Sequence, residues 1–354
     1  MAKRRADASV VLFEPREAYR FVRGPSAMLN FALKAVPKNA VQFEILDSQG
    51  AVIRKIKPVE AEDLVVGLNR VEWDLRHDSP RVVEMRTVAP DNSQVWDEPR
   101  FRETGSRHVT HWGSEPAEVG PIAAPGSYTV RLKVDGQTLT QPLTILSDPH
   151  GPGSPADIEA SVKTLIRIRD DISHVADLVN RIEWLRKQLE TIKAMLQPSK
   201  SEDRPEPPIA EENDEYDGHP SKAPEPELTE AQQRTKTEIL EATMDFDGRL
   251  EGVESRLVSQ ALRNSDDKYF VEPYGTYLDL IWLNAEVGTG GGDVAGSADF
   301  APRTVQLDLL KSYEDQAQSA YTDYETVLRD KLPQLNQTLT HAALAPLVAE
   351  SGNQ

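Results

Sequence analysis

The chain has 354 residues, with 40 Lys plus Arg against 58 Asp plus Glu, and no cysteine. A formal charge of -18 with no basic cluster sets it against phosphate backbones and anionic lipid surfaces, so a nucleic-acid partner is not expected. Without cysteine there are no disulfides, thiolate metal sites or cysteine nucleophiles, and the length suggests two or three domains.

Residues 1–17 form a lead segment. Its basic start is followed only by Val10-Val-Leu-Phe13, short of the roughly 7–15 apolar residues of a signal peptide. No apolar run approaches the roughly 20 residues that span a bilayer. Neither an export signal nor membrane insertion is therefore expected from the chain as written.

From residue 18 to residue 150 the apolar residues alternate, the mark of half-buried strands. Val41, Phe43 and Ile45 share one face of a strand that ends in the polar turn Asp47-Ser-Gln-Gly50 and returns through Ala51–Ile56 as a hairpin. Val71, Trp73 and Leu75 alternate, as do Tyr128, Val130, Leu132 and Val134 before Asp135-Gly136, a dipeptide suited to the positive φ angles of a tight hairpin. The spacing predicts an antiparallel immunoglobulin-like β-sandwich with a core of Phe31, Phe43, Ile45, Trp73, Tyr128, Val130 and Leu132. Between residues 76 and 120 the alternation stops. This insertion, rich in Pro, Asp, Glu, Arg and His, is the place where a binding surface can be built without disturbing strands.

From Ser154 the period changes to that of a helical seam. Ser154-Pro-Ala-Asp157 supplies an N-cap serine, a proline at the first helical position and an acidic third residue. Ile158, Leu165, Ile172 and Val179 then interleave with Ile168, Val175, Ile182, Leu189 and Leu196. Residues 197–227 hold seven prolines and ten acidic against three basic residues, which makes them an acidic, Pro-rich loop carrying -7 of the -18. Leu228-Thr-Glu-Ala-Gln232 reopens a helix with a capping box, along which Ile239, Phe246 and Val253 form one series and Thr243, Leu250 and Leu257 another. These two helices should pack antiparallel. A third helix is expected over Tyr274–Val287, with Tyr277, Leu278, Ile281 and Trp282 inward. Residues 288–299 carry five glycines and should not hold a helix. A last helix follows Ala301-Pro302 through Val305, Leu309, Tyr313, Ala320 and Val327 until Pro333 kinks or stops it. The expected class is thus α+β multidomain: the sandwich at 18–150, then an antiparallel helical bundle at 154–345.

Chemistry-bearing candidates are few. The glycine run lacks the preceding strand and the Gly-Lys-Ser/Thr ending of a P-loop. His108 and His111 have no third ligand at recognisable spacing, so neither metal nor cofactor is expected. There is no Gly-x-Ser-x-Gly elbow and no His-Glu-x-x-His pair, and no catalytic residue is assigned. Trp96, Phe101 and Trp112, interleaved with charge and flanked by His108 and His111, form a candidate interface for a protein or a sugar ring. The bland alternative is that they fold back over the sandwich.

The stretches Tyr19–Pro25, Phe43–Asp47 through Ile53-Arg54, Gly67–Arg76, Pro125–Leu132 and Thr140–Leu143 resemble the C-terminal region of large bacterial proteins with BNR-type β-propellers, known as glycosyl hydrolases or sortilin-like proteins. Ala301–Thr304 and Leu332–Asn336 extend the resemblance into the helical part. The Gly-x-Asn, Trp-Asp and Pro-Gly-x-Tyr pieces are also similar to the immunoglobulin-like domain of flagellar hook-capping proteins. The resemblance implies a non-catalytic accessory module that docks to a propeller or another extracytoplasmic partner, in a periplasmic or extracellular setting. The propeller that would precede Tyr19 is missing and the 76–120 insertion is longer and more charged, so any hydrolase activity implied by the family name would belong to the propeller. Gly67, Asn69, Trp73, Asp74, Gly126 and Tyr128 match as fold determinants. A carbohydrate-binding or glycoside-hydrolase-associated protein using the insertion is the alternative, and oligomerisation through the helical seam a further possibility.

Overall fold

The computed structural model describes residues 8–21, 24–92, 94, 99–109, 118–197, 228–264, 273–289 and 299–349. The chain is α+β, with its strands in two sheets followed by long helices. The strands are β1 (Val10–Leu12), β2 (Ala18–Arg20), β3 (Ala27–Leu33), β4 (Val41–Leu46), β5 (Val52–Val59), β6 (Gly67–Trp73), β7 (Gly126–Val134) and β8 (Gln137–Ser147). A short helix, α1 (Pro99–Thr104), lies between β6 and β7. Helices α2 (Pro155–Leu196), α3 (Glu230–Leu257), α4 (Gln260–Asn264), α5 (Thr276–Asn284) and α6 (Thr304–His341) follow.

One sheet has the order β1-β3-β6 and the other β2-β8-β7-β4-β5. Their inward faces share a core in which Phe31, Phe43, Ile45, Trp73, Val130 and Leu132 are buried and Tyr128 packs at the margin. Asp47 shapes the β4–β5 turn by accepting the N–H groups of Gln49 and Ala51, both at 2.9 Å. Asp135 and Gly136 both take positive φ, 41° and 77°, as the β7–β8 hairpin requires. Two features depart from the sequence expectation. The lead segment contributes β1, which pairs with β3 because Val10 and Leu12 alternate into the core. Strand β2 pairs with β8 in parallel, so the sheets are not wholly antiparallel.

The helices share a second core. Capping boxes form at both expected helix starts, Ser154–Asp157 and Thr229–Gln232. Ion pairs of Arg186 with Glu254 and of Lys193 with Asp247 set α2 and α3 antiparallel. All the seam residues expected on α2 and α3 lie inside, with only Leu196 partly exposed. The chain's own helices thus fill much of the seam. Helix α5 begins at Thr276 and ends in a π-helical turn, Ala285–Thr289. Trp282 is only half-buried, because Leu280 and Leu283 take the inner positions. On α6, Val305 and Leu309 face solvent while Leu310, Ala320 and Tyr324 face inward. The helix runs through Pro333 to His341, and Leu335 and Leu339 on the far side of the proline are buried. Residues 198–227 and 290–298 of the two expected loops lie outside the described residues.

The two units are joined at a tight seam. Arg20 of β2 donates to Asp299 at 2.8 Å and to the carbonyls of Ile122 and Ala123 at 2.6 and 3.0 Å. Gly153 passes so close that a Cβ there would sit 2.1 Å from the carbonyl oxygen of Asp299, which excludes any side chain.

Candidate functional site

The insertion leaves β6 at Leu75, a buried residue held at a φ of 56°, and runs as an extended strap along α2. Extended backbone away from a sheet must find other partners for its N–H and C=O groups. A polar stripe on α2 supplies them, from residues spaced three, four or seven apart and hence on one helix face. Ser173 Oγ accepts from Arg81 N at 3.2 Å, and Asp177 pairs with the Arg81 guanidinium at 2.6 Å. Asn180 accepts from Glu84 N at 2.7 Å and donates to Val82 O at 3.0 Å. The Glu183 carboxylate takes the N–H groups of Arg86 and Thr87 at 2.5 and 2.8 Å, and Glu190 takes that of Val88 at 3.0 Å. Between these bonds Val83 and Met85 push into the helical core. Tyr277 closes the strap, accepting from Val83 N at 3.1 Å and donating to Glu118 at 2.8 Å.

Beneath the strap lies a cluster of charge. Arg186 meets Asp247 at 2.8 Å and Glu254 at 2.5 Å, and Arg263 meets Glu254 at 3.2 Å and Glu251 at 3.1 Å. Both arginines approach one oxygen of Glu254, and the other buried oxygen has no hydrogen-bond partner. Burial and the neighbouring Glu183 outweigh the two arginines and push the Glu254 carboxyl up to about 8. Such clusters hold structure together and also mark reactive sites. Here the carboxylates are committed to arginines and to strap amides.

A second polar groove, of about 650 Å³, runs between α2 and α6 and is lined by Asp171, His174, Arg181, Glu314 and Tyr321. Burial and the adjacent Glu314 push Asp171 up to about 7, and Arg167 is clamped on Glu314. A carboxyl that titrates near neutrality suits proton transfer. Asp171, however, stands beside the like-charged Glu314, which is committed to Arg167, and its buried Oδ2 has no hydrogen-bond partner. Among the described residues no group of three His, Asp or Glu is placed to hold a metal ion, and no helix is long and apolar enough to cross a membrane.

Of the expected interface residues, Phe101 is buried against Ala89, so it belongs to the strap's own packing and not to an exposed surface. His108 is exposed beside Val109, which enters the helical core. Trp96, His111 and Trp112 lie outside the described residues. The fold determinants take structural places. Gly67 has a φ of 102°, and Asn69 closes the preceding turn by accepting from Val65 N at 3.0 Å and donating to Val65 O at 2.7 Å. Trp73 donates to Arg76 O at 2.8 Å, and Asp74 accepts from Arg76 N at 3.1 Å. Gly126 starts β7, and Tyr128 meets Trp73 edge-on at 6.1 Å. An aromatic pair absent from the sequence expectations stands at the end of β2: Tyr19 and Phe21, 40% and 42% exposed, stack at 5.6 Å with Arg20 turned inward between them. Their i, i+2 spacing was the signal available.

No protein-family model matches the chain, and no curated protein matches it.

Proposed function

We propose that the two-sheet unit is an immunoglobulin-like sandwich, that the helices form an antiparallel bundle, and that the whole is a non-catalytic accessory module docking onto a β-propeller of the glycosyl-hydrolase-like or sortilin-like kind. The strand orders support the first part. So does Tyr128, whose hydroxyl donates to Ala124 O four residues upstream at 2.7 Å, the arrangement of a tyrosine corner. The docking reading is carried by the Tyr19–Phe21 stack. Rigid exposed aromatics are preferred interface anchors, and this pair stands where the family resemblance would attach the preceding propeller.

Co-purification with a separately encoded propeller protein tests the reading. Tyr19→Ala with Phe21→Ala should weaken capture by at least about tenfold, since each anchor is worth roughly 1–2 kcal/mol, while thermal stability stays close to the parent value. A chain that ignores such a partner defeats the proposal. Exposed rings also stack on sugars, so a glycan array probed with the same double variant and with Trp112→Ala separates the carbohydrate alternative. A blank array removes it.

A further inference from the structure

Among the described residues, the three-stranded sheet ends at β6 with no further strand beside it. Phe13 N–H donates to the carbonyl of Asn30 at 3.0 Å, so the peptide groups of Asn30 face β1. By antiparallel alternation those of Leu29 and Phe31 face β6, where their partners are Val71 and Asn69. The N–H and C=O groups of Leu68, Arg70 and Glu72 are thereby turned to the far side of β6, where no described strand lies. The outer edge of β5, by contrast, is covered: Ile53 O takes Asp78 N–H and the Asp78 carboxylate takes Lys55 N–H, both at 2.9 Å. Strand β1 is covered by the Gln141 side chain, which donates to Leu12 O at 2.9 Å. Beside the β6 edge Val65, Val66 and Leu68 are 57%, 63% and 62% exposed. A seven-residue edge with apolar side chains in water is a template for another strand.

We propose that β6 pairs antiparallel with β6 of a second copy of the chain, with Arg70 opposite Glu72 of that copy. Charge selects this register. Setting Leu68 opposite Glu72 would bring the two Arg70 side chains face to face, and setting Leu68 opposite Arg70 would leave Glu72 across from Val66. With Arg70 opposite Glu72 the two-fold axis passes through Val71 and generates two identical opposite-charge pairs on the outer face. Among the described residues neither side chain is in a salt bridge, and Arg70 only donates to Asn30 at 3.0 Å. The proposal uses an edge on the other sheet from Tyr19 and Phe21, and so stands apart from the docking reading.

Sedimentation equilibrium of the full chain tests it. The parent should form a concentration-dependent dimer. Arg70→Glu and Glu72→Arg should each weaken it by about tenfold or more, because two like-charge pairs replace two attractive ones. The double variant carrying both exchanges should restore dimerisation to near the parent level, which misfolded singles would not allow. A monomer at all concentrations, a dimer indifferent to the single exchanges, or a double variant as impaired as the singles overturns the proposal.

Discussion

Arg20 and Asp299, 279 residues apart in sequence, are paired at 2.8 Å with both side chains largely out of water. Their bond joins the edge of the five-stranded sheet to the lead-in of α6. Removing one partner strands the other charge in a dry site. Arg20→Ala is expected to cost about 3–5 kcal/mol in urea unfolding, and Arg20→Ala with Asp299→Ala clearly less than the sum of the two single changes.

Glu183 has a comparable duty at the strap. Glu183→Ala leaves the amides of Arg86 and Thr87 without their acceptor while the strap's apolar anchors Val83 and Met85 remain. Amide exchange at Arg86 and Thr87 should speed up by at least about tenfold, with the sheet amides of β7 unchanged.

The buried carboxyls predict a pH dependence. Burial and Glu183 raise Glu254 from 4.5 to about 8, and burial and Glu314 raise Asp171 from 3.8 to about 7. In these windows the folded chain holds protons that the unfolded chain has lost, so stability falls as pH rises through them. His77 acts oppositely: burial and the nearby Arg169 lower it from 6.5 to about 4, which makes stability rise with pH over that interval. Above about 6.5 only the carboxyls remain active, and stability should decline toward pH 8.5. Denaturation midpoints at pH 6.5 and 8.5 measure the decline, and Glu254→Gln should flatten it.

Near the start of β7, Tyr128→Phe keeps the ring against Trp73 and deletes only the bond to Ala124 O. A loss of about 1 kcal/mol is expected, with the native fold retained in the near-ultraviolet spectrum.

Elements governed by local pattern were legible. Ser154 and Thr229 announced their helices because a cap is a contact within four residues, and the seam from Ile158 to Leu189 was readable because one apolar stripe faces one core. The stripe of Ser173, Asn180 and Glu183 was not. Polar residues on the back of an amphipathic helix look the same in sequence whether they meet water or another backbone. The insertion likewise resembled an exposed loop because its composition is polar, although its backbone is satisfied by residues some ninety positions later. On α6 the series held at Tyr313, Ala320 and Val327, while at its start Leu310 is buried and Val305 and Leu309 lie in water, since a helix contacting neighbours on only part of its circumference leaves several apolar residues exposed. The candidate interface was read from residue type alone, and Phe101 shows the weakness of that: an aromatic among charges is as readily a local plug as an anchor.

The strap has an implication for biosynthesis. Its amides are emitted from the ribosome before β7 and β8, yet their acceptors lie on α2, whose Glu183 is made about ninety-seven residues after Arg86. At translation rates of roughly 5–20 residues per second the nascent sheets wait several seconds or more with Val83 and Met85 uncovered. A chain truncated before Asn180 should therefore emerge as a chaperone client rather than as a free-standing domain.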